Sequence, residues 1–539
     1  MRLRRLALSA SAVVGLVGVL CGAGVTQAGA TAPRAFDLDA PLTTLFTHDD
    51  PTLDVELQLI DEVIAERRRD AHSYTDAANP FRIRYEVMSV TDRQIAARLA
   101  DARDAGVYVQ LLVDYRQLDP AYPWLDTDEY LAGRGFTVVD DQAKLTSTTK
   151  VSTNLVGIRT SGFMHLKARL FETPASKIVL TGGQNASTEG WQLNDDGLQV
   201  IRDAALYSKY SSAYSAVLES RKIANTWDAA APVNVLFTPE ASGQRTSAKM
   251  LEWLRSESNL ILLMVFSLRD FTAPGGDTLL ATLTAKASAG VPVYVITDKN
   301  QSDGEAGETN DSTEDRLRTA GVHVYEARNA RGTYASMHTK AAVLGASCPR
   351  VIADSANWST SALGTATATS KNVESVLFID SERADSCATG DRFLARWMEL
   401  LSQYADQSVR DDGESDYPTV VGRLTSLPGW PSQEVTFTAH ATYTSFGEDA
   451  RVLGSLPQLG DWGRAAGGPV LLTDTASYPT WRSSASVAVP LGTWFEWKLA
   501  VTAGSAPPAR WETGGNRSTI AMPPAFGRNR TLALDATWR

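Results

Sequence analysis

A duplicated α/β architecture followed by an all-β sandwich is what this sequence predicts, and three observations carry it. A strand–helix–strand pattern occurs twice in the same order. A His-x-Lys tripeptide occurs once in each copy, at His165-Leu166-Lys167 and His338-Thr339-Lys340. From residue 432 onward, short alternating runs are separated by turn residues, the pattern of a sandwich.

The elements follow in chain order. Arg2, Arg4 and Arg5 precede an apolar or small stretch at 6–20, and Ala28-Gly29-Ala30 offers a small-x-small cleavage pattern. Residues 1–30 therefore read as an export signal and the mature chain as secreted. The apolar run is too short and Gly-rich to favour a membrane anchor, and Leu20 before Cys21 argues against lipidation.

The first half spans 31–230. Residues 81–90 read as a strand, and Thr91 with Gln94 as a capping box. Ile95, Leu99 and Ala102 keep helical spacing up to Gly106, and a strand at 107–113 ends at Asp114. The second half, 231–405, repeats this with a strand at 260–267 and a helix capped by Asp277 that carries Leu279, Leu280 and Leu283. Gly290 ends that helix, and a strand at 291–297 leads to Asp298. Gly135-Phe136-Thr137-Val138 and Gly321-Val322-His323-Val324 take equivalent places. Alternation of apolar strands with helices implies a sheet covered on both faces. Long helices are expected at about 195–226 and 381–404. The polar, turn-rich stretch 406–431 reads as a linker, and 432–539 as an immunoglobulin-like sandwich.

At 539 residues the chain exceeds one ordinary core. A net charge of −11 makes it a poor nonspecific polyanion binder unless its cleft is locally basic. Of three cysteines, Cys348 and Cys387 remain after cleavage. An even pair in an exported chain favours a disulfide, two buried thiols being the alternative.

The tripeptides carry the chemistry. Six histidines in the chain make two matching settings informative: Phe163-Met164-His165-Leu166-Lys167-Ala168 and Ser336-Met337-His338-Thr339-Lys340-Ala341. An Asn follows each, Asn185 and Asn357, then an Asn-x-acid, Asn194-Asp195-Asp196 and Asn372-Val373-Glu374. A neutral imidazole is a competent nucleophile and an imidazolium a competent general acid. Lys and Asn suit the charge that builds on phosphoryl oxygens under attack. On a strand, His-x-Lys points both side chains to one face. Lys is not a usual zinc ligand and no Cys/His cluster accompanies either copy, which disfavours a metal centre. No Gly-x-Ser-x-Gly elbow is present, which disfavours a Ser-His-Asp hydrolase.

Residues 42–405 resemble the phospholipase D superfamily, whose motif is His-x-Lys, four residues, Asp, then Gly-Ser-x-Asn. The resemblance implies two α/β/α halves with pseudo-twofold symmetry and a ping-pong reaction through a phosphohistidine. It implies His165 as nucleophile and His338 as general acid. Lys167, Lys340, Asn185 and Asn357 would bind phosphoryl oxygens, while Asp196 and Glu374 would orient the His of a half and raise its basicity. The family Asp falls on Glu172 in the first copy and on Gly345 in the second, and Gly-Ser on Gly182-Gly183 and Asp354-Ser355. Most members need no metal, so no cofactor is expected, and a monomer is.

The module resembles the family 20 starch-binding domain, through Leu453-Gly454-Ser455-Leu456-Pro457-Gln458-Leu459-Gly460-Asp461-Trp462, Trp494-Phe495-Glu496-Trp497-Lys498, Trp511-Glu512-Thr513-Gly514-Gly515-Asn516-Arg517 and Trp538-Arg539. The resemblance implies a first glucan site with Trp462 and Trp511 stacking and Lys498, Glu512 and Asn516 bonding hydroxyls. It implies a second at Tyr478 and Trp481, with Phe446 where a Tyr is common. Apolar sugar faces stack on indoles. Trp494 and Trp497 are expected in or near the core. The expected function is a secreted phosphodiesterase held on starch or related α-glucan, acting most naturally on phospholipid. The alternatives are a metal-independent nuclease and a decayed, noncatalytic starch-binding protein.

Overall fold

The computed structural model describes the chain from residue 35 onward, apart from 122–124, 243–244, 303–311, 366, 405–416, 464–467, 504–506 and 528–529. The expected export signal lies outside the described residues, as does most of the first half of the expected linker.

The first sheet holds β1 (Leu42–Phe46), β2 (Arg82–Val87), β3 (Tyr108–Asp114), β4 (Val138–Val139), β5 (Leu155–Ile158), β6 (Lys167–Glu172), β7 (Lys177–Gly182) and β8 (Gly197–Ile201). Its order is β1-β8-β7-β6-β2-β3-β5-β4. The second holds β9 (Val233–Thr238), β10 (Ile261–Val265), β11 (Val293–Asp298), β12 (His323–Ala327), β13 (Lys340–Leu344), β14 (Arg350–Asp354) and β15 (Glu374–Asp380). Read backwards, its order β9-β15-β14-β13-β10-β11-β12 matches the first strand for strand, with β4 as the surplus edge. The duplication is therefore topological as well as sequential. Both sheets are mixed. Only the β2-β3-β5-β4 and β10-β11-β12 stretches are parallel, and the strands that carry the tripeptides run antiparallel to their neighbours.

Local expectations shift in five places. The helix Arg93–Asp104 starts one residue late because Asp92, not Thr91, caps it, its Oδ1 accepting from Gln94 and Ile95 amides at 2.8 and 3.1 Å. Thr278, not Asp277, caps Leu279–Ser288. The stretch at 195–226 divides into β8 and a helix Ala204–Leu218 capped by Asp203. The stretch at 381–404 breaks at Ser386 and Cys387, whose φ values of 54° and 75° cannot continue a right-handed helix. Cys387 is joined there to Cys348 as a disulfide. The run after Gly135 forms only the edge strand β4, and β5 takes the place that corresponds to β12.

Four apolar cores result. One lies between each sheet and its outer helices. A larger one lies between the sheets, where Met164, Leu166 and Ala168 of one half meet a core that includes Met337, Ala341 and Val343 of the other. The fourth fills the module, between a five-stranded and a four-stranded sheet. Part of the expected linker is a helix, Tyr417–Thr425, whose Val420 and Leu424 join the central core. Leu491 and Met522 of the module join it too.

Candidate active site

Each His-x-Lys lies where a loop enters a central strand. Asp114 at the end of β3 accepts from the Met164 amide at 2.8 Å, and Asp298 at the end of β11 accepts from the Met337 amide at 3.0 Å. The next residue in each loop is the histidine, and its backbone is tied to the opposite half. His165 N donates to Val373 O at 3.0 Å, and His338 N donates to Asp195 O at 2.9 Å. The residue after each of those acceptors is the acid of the Asn-x-acid motif.

The side chains therefore pair crosswise. His165 Nδ1 bonds Glu374 Oε2 at 2.8 Å, and His338 Nδ1 bonds Asp196 Oδ2 at 2.7 Å. The acid of one half orients the imidazole of the other, not its own. Both carboxylates are fully buried and both histidines are 8% exposed. With Nδ1 engaged, Nε2 is the nitrogen left for a substrate.

Burial outweighs the carboxylates in setting basicity. His165 is pushed below its ordinary pKa by burial, against the pull of Glu374 and together with Lys167 and Lys340. His338 is pushed down to about 4 by burial and Lys340, against Asp196. The expected gain in basicity is present as an upward pull but does not prevail. Burial pushes Glu374 up, yet His165, Lys167 and Ser355 hold its pKa below the ordinary value.

The lysines begin β6 and β13, and the histidines lie just before them, so the two-residue strand period does not govern the pair. Lys167 Nζ donates to His165 O at 2.7 Å, and Lys340 Nζ donates to His338 O. Burial lowers Lys167 to about 8 and Lys340 to about 7. Asn185 and Asn357 are half-buried, and the Oδ1 of each is shielded from solvent without a hydrogen-bond partner.

Glu172 is not at this site. Five strand steps of about 3.3 Å separate it from Lys167, and it binds Tyr207, Arg84 and Lys177 instead. Gly345 lies past the same far end of β13, so the missing family carboxylate leaves the histidines untouched. Asp354 is buried, accepts from Thr181 and Tyr210 hydroxyls at 2.8 Å each, and is raised by burial to about 6. It points into the interface between the halves.

Sequence reasoning missed several supports. Ser355 Oγ donates to Glu374 Oε2 at 2.8 Å, and Asn372 Nδ2 donates to Glu374 Oε1 at 3.1 Å. Asp195 gathers Arg331, Arg396, Asn329 and Tyr404. The recurrence of Asn-x-acid was the available signal for Asn372. Beside His165, Arg116 stacks on Phe163 at 4.3 Å and Tyr115 at 4.8 Å, and Arg159 covers Tyr115 at 4.1 Å. Phe163 remains 41% exposed.

In the module, Trp462 and Trp511 lie 6.2 Å apart at a 51° tilt, with Trp511 exposed. Lys498 binds Gly514 O, and Asn516 binds Glu496. Glu512 is not available to a sugar. It is buried and accepts from the Leu499 amide, Arg517 and Arg539. At the second site Trp481 is a core residue, 7% exposed, its Nε1 donating to Thr442 O at 2.9 Å. Tyr478 and Phe446 are exposed, and so is Tyr443, which packs edge-on to Tyr478 at 6.0 Å and escaped the sequence reading. Trp497 is buried, but Trp494, the first residue of the same strand, is exposed.

Comparison with known proteins agrees with both parts. The profile described as "Cardiolipin synthase, PLD-like domain" matches residues 75–218 and 254–396, and "Starch binding domain" matches 432–524. An α-amylase of Thermomonospora curvata is 40% identical over 100 residues, 18% of this chain and 15% of that protein. The chain thus spans about 15% of the length of the curated relatives it matches. Among solved structures, phosphatidylserine synthase of Haemophilus influenzae is 14% identical with a TM-score of 0.45, covering 69% of this chain and 89% of that one. The family 20 module of the maltotetraose-forming amylase of Pseudomonas saccharophila is 30% identical with a TM-score of 0.16, covering 19% and 98%.

Proposed function

Because the chain belongs to the phospholipase D-like family and ends in a starch-binding domain, we propose that it is a secreted phosphodiesterase working through a phosphohistidine while its module grips α-glucan. The observation that carries the reading is the reciprocal pairing of His165 with Glu374 and His338 with Asp196. One imidazole attacks phosphorus, and the other protonates the leaving alcohol and then deprotonates water or an acceptor alcohol. Lys167, Lys340, Asn185 and Asn357 hold the non-bridging oxygens. Each Asn would do so through its Nδ2 donor, since its buried, unpartnered amide oxygen can only accept. Retention of this whole set weighs against the decayed alternative.

Phospholipid is the substrate first to be tried. One feature favours nucleic acid as a second reading: the Phe163–Arg116–Tyr115–Arg159 stack is a platform of the kind on which bases lie. The test is turnover of a chromogenic diester alongside vesicles and single-stranded DNA. His165→Ala and His338→Ala should each lower steady-state turnover by at least about 100-fold. Rates equal to wild type in both would remove the reading.

A further inference from the structure

One face of the module's four-stranded sheet carries more than the stacking pair of the first glucan site. The strand Trp494–Thr502 pairs with Asp449–Gly454 on one side, and with Arg510–Trp511 and Arg517–Ile520 on the other. Side chains along a strand alternate between faces. Phe495, Trp497 and Leu499 enter the sandwich core and are buried. Trp494, Glu496, Lys498 and Ala500 therefore share the opposite face. Ala500 lies across the ladder from Trp511, so Trp511 and Trp494 stand at two ends of that face. Six strand steps of ~3.3 Å put them about 20 Å apart.

The floor between the two indoles is polar. Glu496 Oε2 accepts from Asn516 Nδ2 at 3.1 Å, and Lys498 Nζ donates to Gly514 O at 2.7 Å. Ser518, opposite Glu496, is exposed. Carboxylate, ammonium, amide and hydroxyl groups supply both acceptors and donors for sugar hydroxyls. A single exposed indole needs no explanation by itself. Trp494, 44% exposed, is aligned with a glucan site and joined to it by polar groups. Its end of the face lies at the seam with the catalytic halves. Trp494 N donates to Tyr417 Oη at 3.4 Å, and Tyr417 opens the helix that packs on the core between the two large sheets.

Resting on the reading of Trp462 and Trp511 as a glucan site, we propose that Trp494 is a further stacking residue for α-glucan, which extends that site along its strand toward the catalytic halves. A long chain lays one glucose face on Trp511 and another on Trp494. Lys498, Glu496, Asn516 and Ser518 bond the hydroxyls between. A short chain reaches the Trp462–Trp511 end alone. The module thus prefers long glucan to its fragments, and one end of the held chain lies beside the phosphodiesterase part.

Chain length separates the two ends of the track. Calorimetric titration of the full-length protein with maltoheptaose and maltotriose reads it. Every variant also carries Tyr443→Ala and Phe446→Ala, which remove two exposed rings at the second site. Trp494→Ala should weaken maltoheptaose binding about 5-fold and leave maltotriose binding unchanged. Trp494→Phe should recover most of that loss, since a phenyl ring still stacks. Trp511→Ala should weaken both sugars. Undiminished maltoheptaose binding in Trp494→Ala overturns the proposal. So does an equal loss for both sugars, which would report a distorted first site. Parent protein that binds neither sugar removes the first glucan site itself, a failure distinct from a silent Trp494→Ala. Near-ultraviolet circular dichroism checks folding.

Discussion

Lys167 and Lys340 are the residues whose charge is least secure. Burial lowers them to about 8 and about 7, and the protonated form is the one that can hold phosphoryl oxygens. Charge is lost as pH rises through those values, so kcat/KM on a diester should decline between about pH 7 and pH 9. A profile that stays flat to pH 9.5 would show that the ammonium groups do not serve the reaction. Much of this scale was legible from sequence. Matching neighbours identified both histidines, both lysines and both asparagines, because side-chain chemistry repeated at fixed spacing survives any detail of packing. What was not legible was commitment. Glu512 and Trp481 have the right types at the right spacing, but Arg517, Arg539 and the Thr442 carbonyl already occupy them. Such contacts come from distant parts of the chain, and no local pattern announces them.

Among the elements, the turn after β7 holds the site's tightest approach. A Cβ at Gly183 would meet Asp196 Oδ1 at 2.1 Å. Gly183→Ala should therefore displace the carboxylate and its imidazole, lowering diester turnover on the order of 100-fold while starch pull-down through the distant module stays unchanged. Unaltered turnover would mean that Asp196 can shift at no cost to the chemistry. The strand pattern was readable because apolar runs and glycine stops mark it. Sheet direction was not. The parallel units were evident as strand–helix–strand repeats, but the antiparallel return of β6 to β8 rests on pairings that the pattern of one strand does not encode. Helix ends moved by a residue wherever two adjacent groups could both cap, as at Thr91 and Asp92.

For the molecule as a whole, the module is docked rather than trailing. Trp430 Nε1 donates to Leu491 O at 3.0 Å, Arg392 donates to Pro523 O, and Arg530 pairs with Asp391. Leu491 and Met522 lie in the same apolar core as the two sheets. Calorimetry of the full chain should accordingly show one cooperative transition, and Arg530→Ala combined with Leu491→Ser should split it in two. Two well-separated transitions in the unmodified protein would contradict a shared core. Composition at 406–431 suggested a linker because acidic, turn-rich sequence usually is one. The amphipathic helix Tyr417–Thr425 within it carries Val420 and Leu424 inward, a pattern too short to stand out beside its polar neighbours.

The crosswise carboxylates have a further consequence for the two halves. With each copy of the duplicated segment orienting its sibling's imidazole, a change at either acid is felt at the histidine of the other half. A fragment ending near residue 230 would hold Asp196 with no histidine to steer and His165 with nothing to steer it. Within one chain, two similar segments thus serve as complementary parts of one tool.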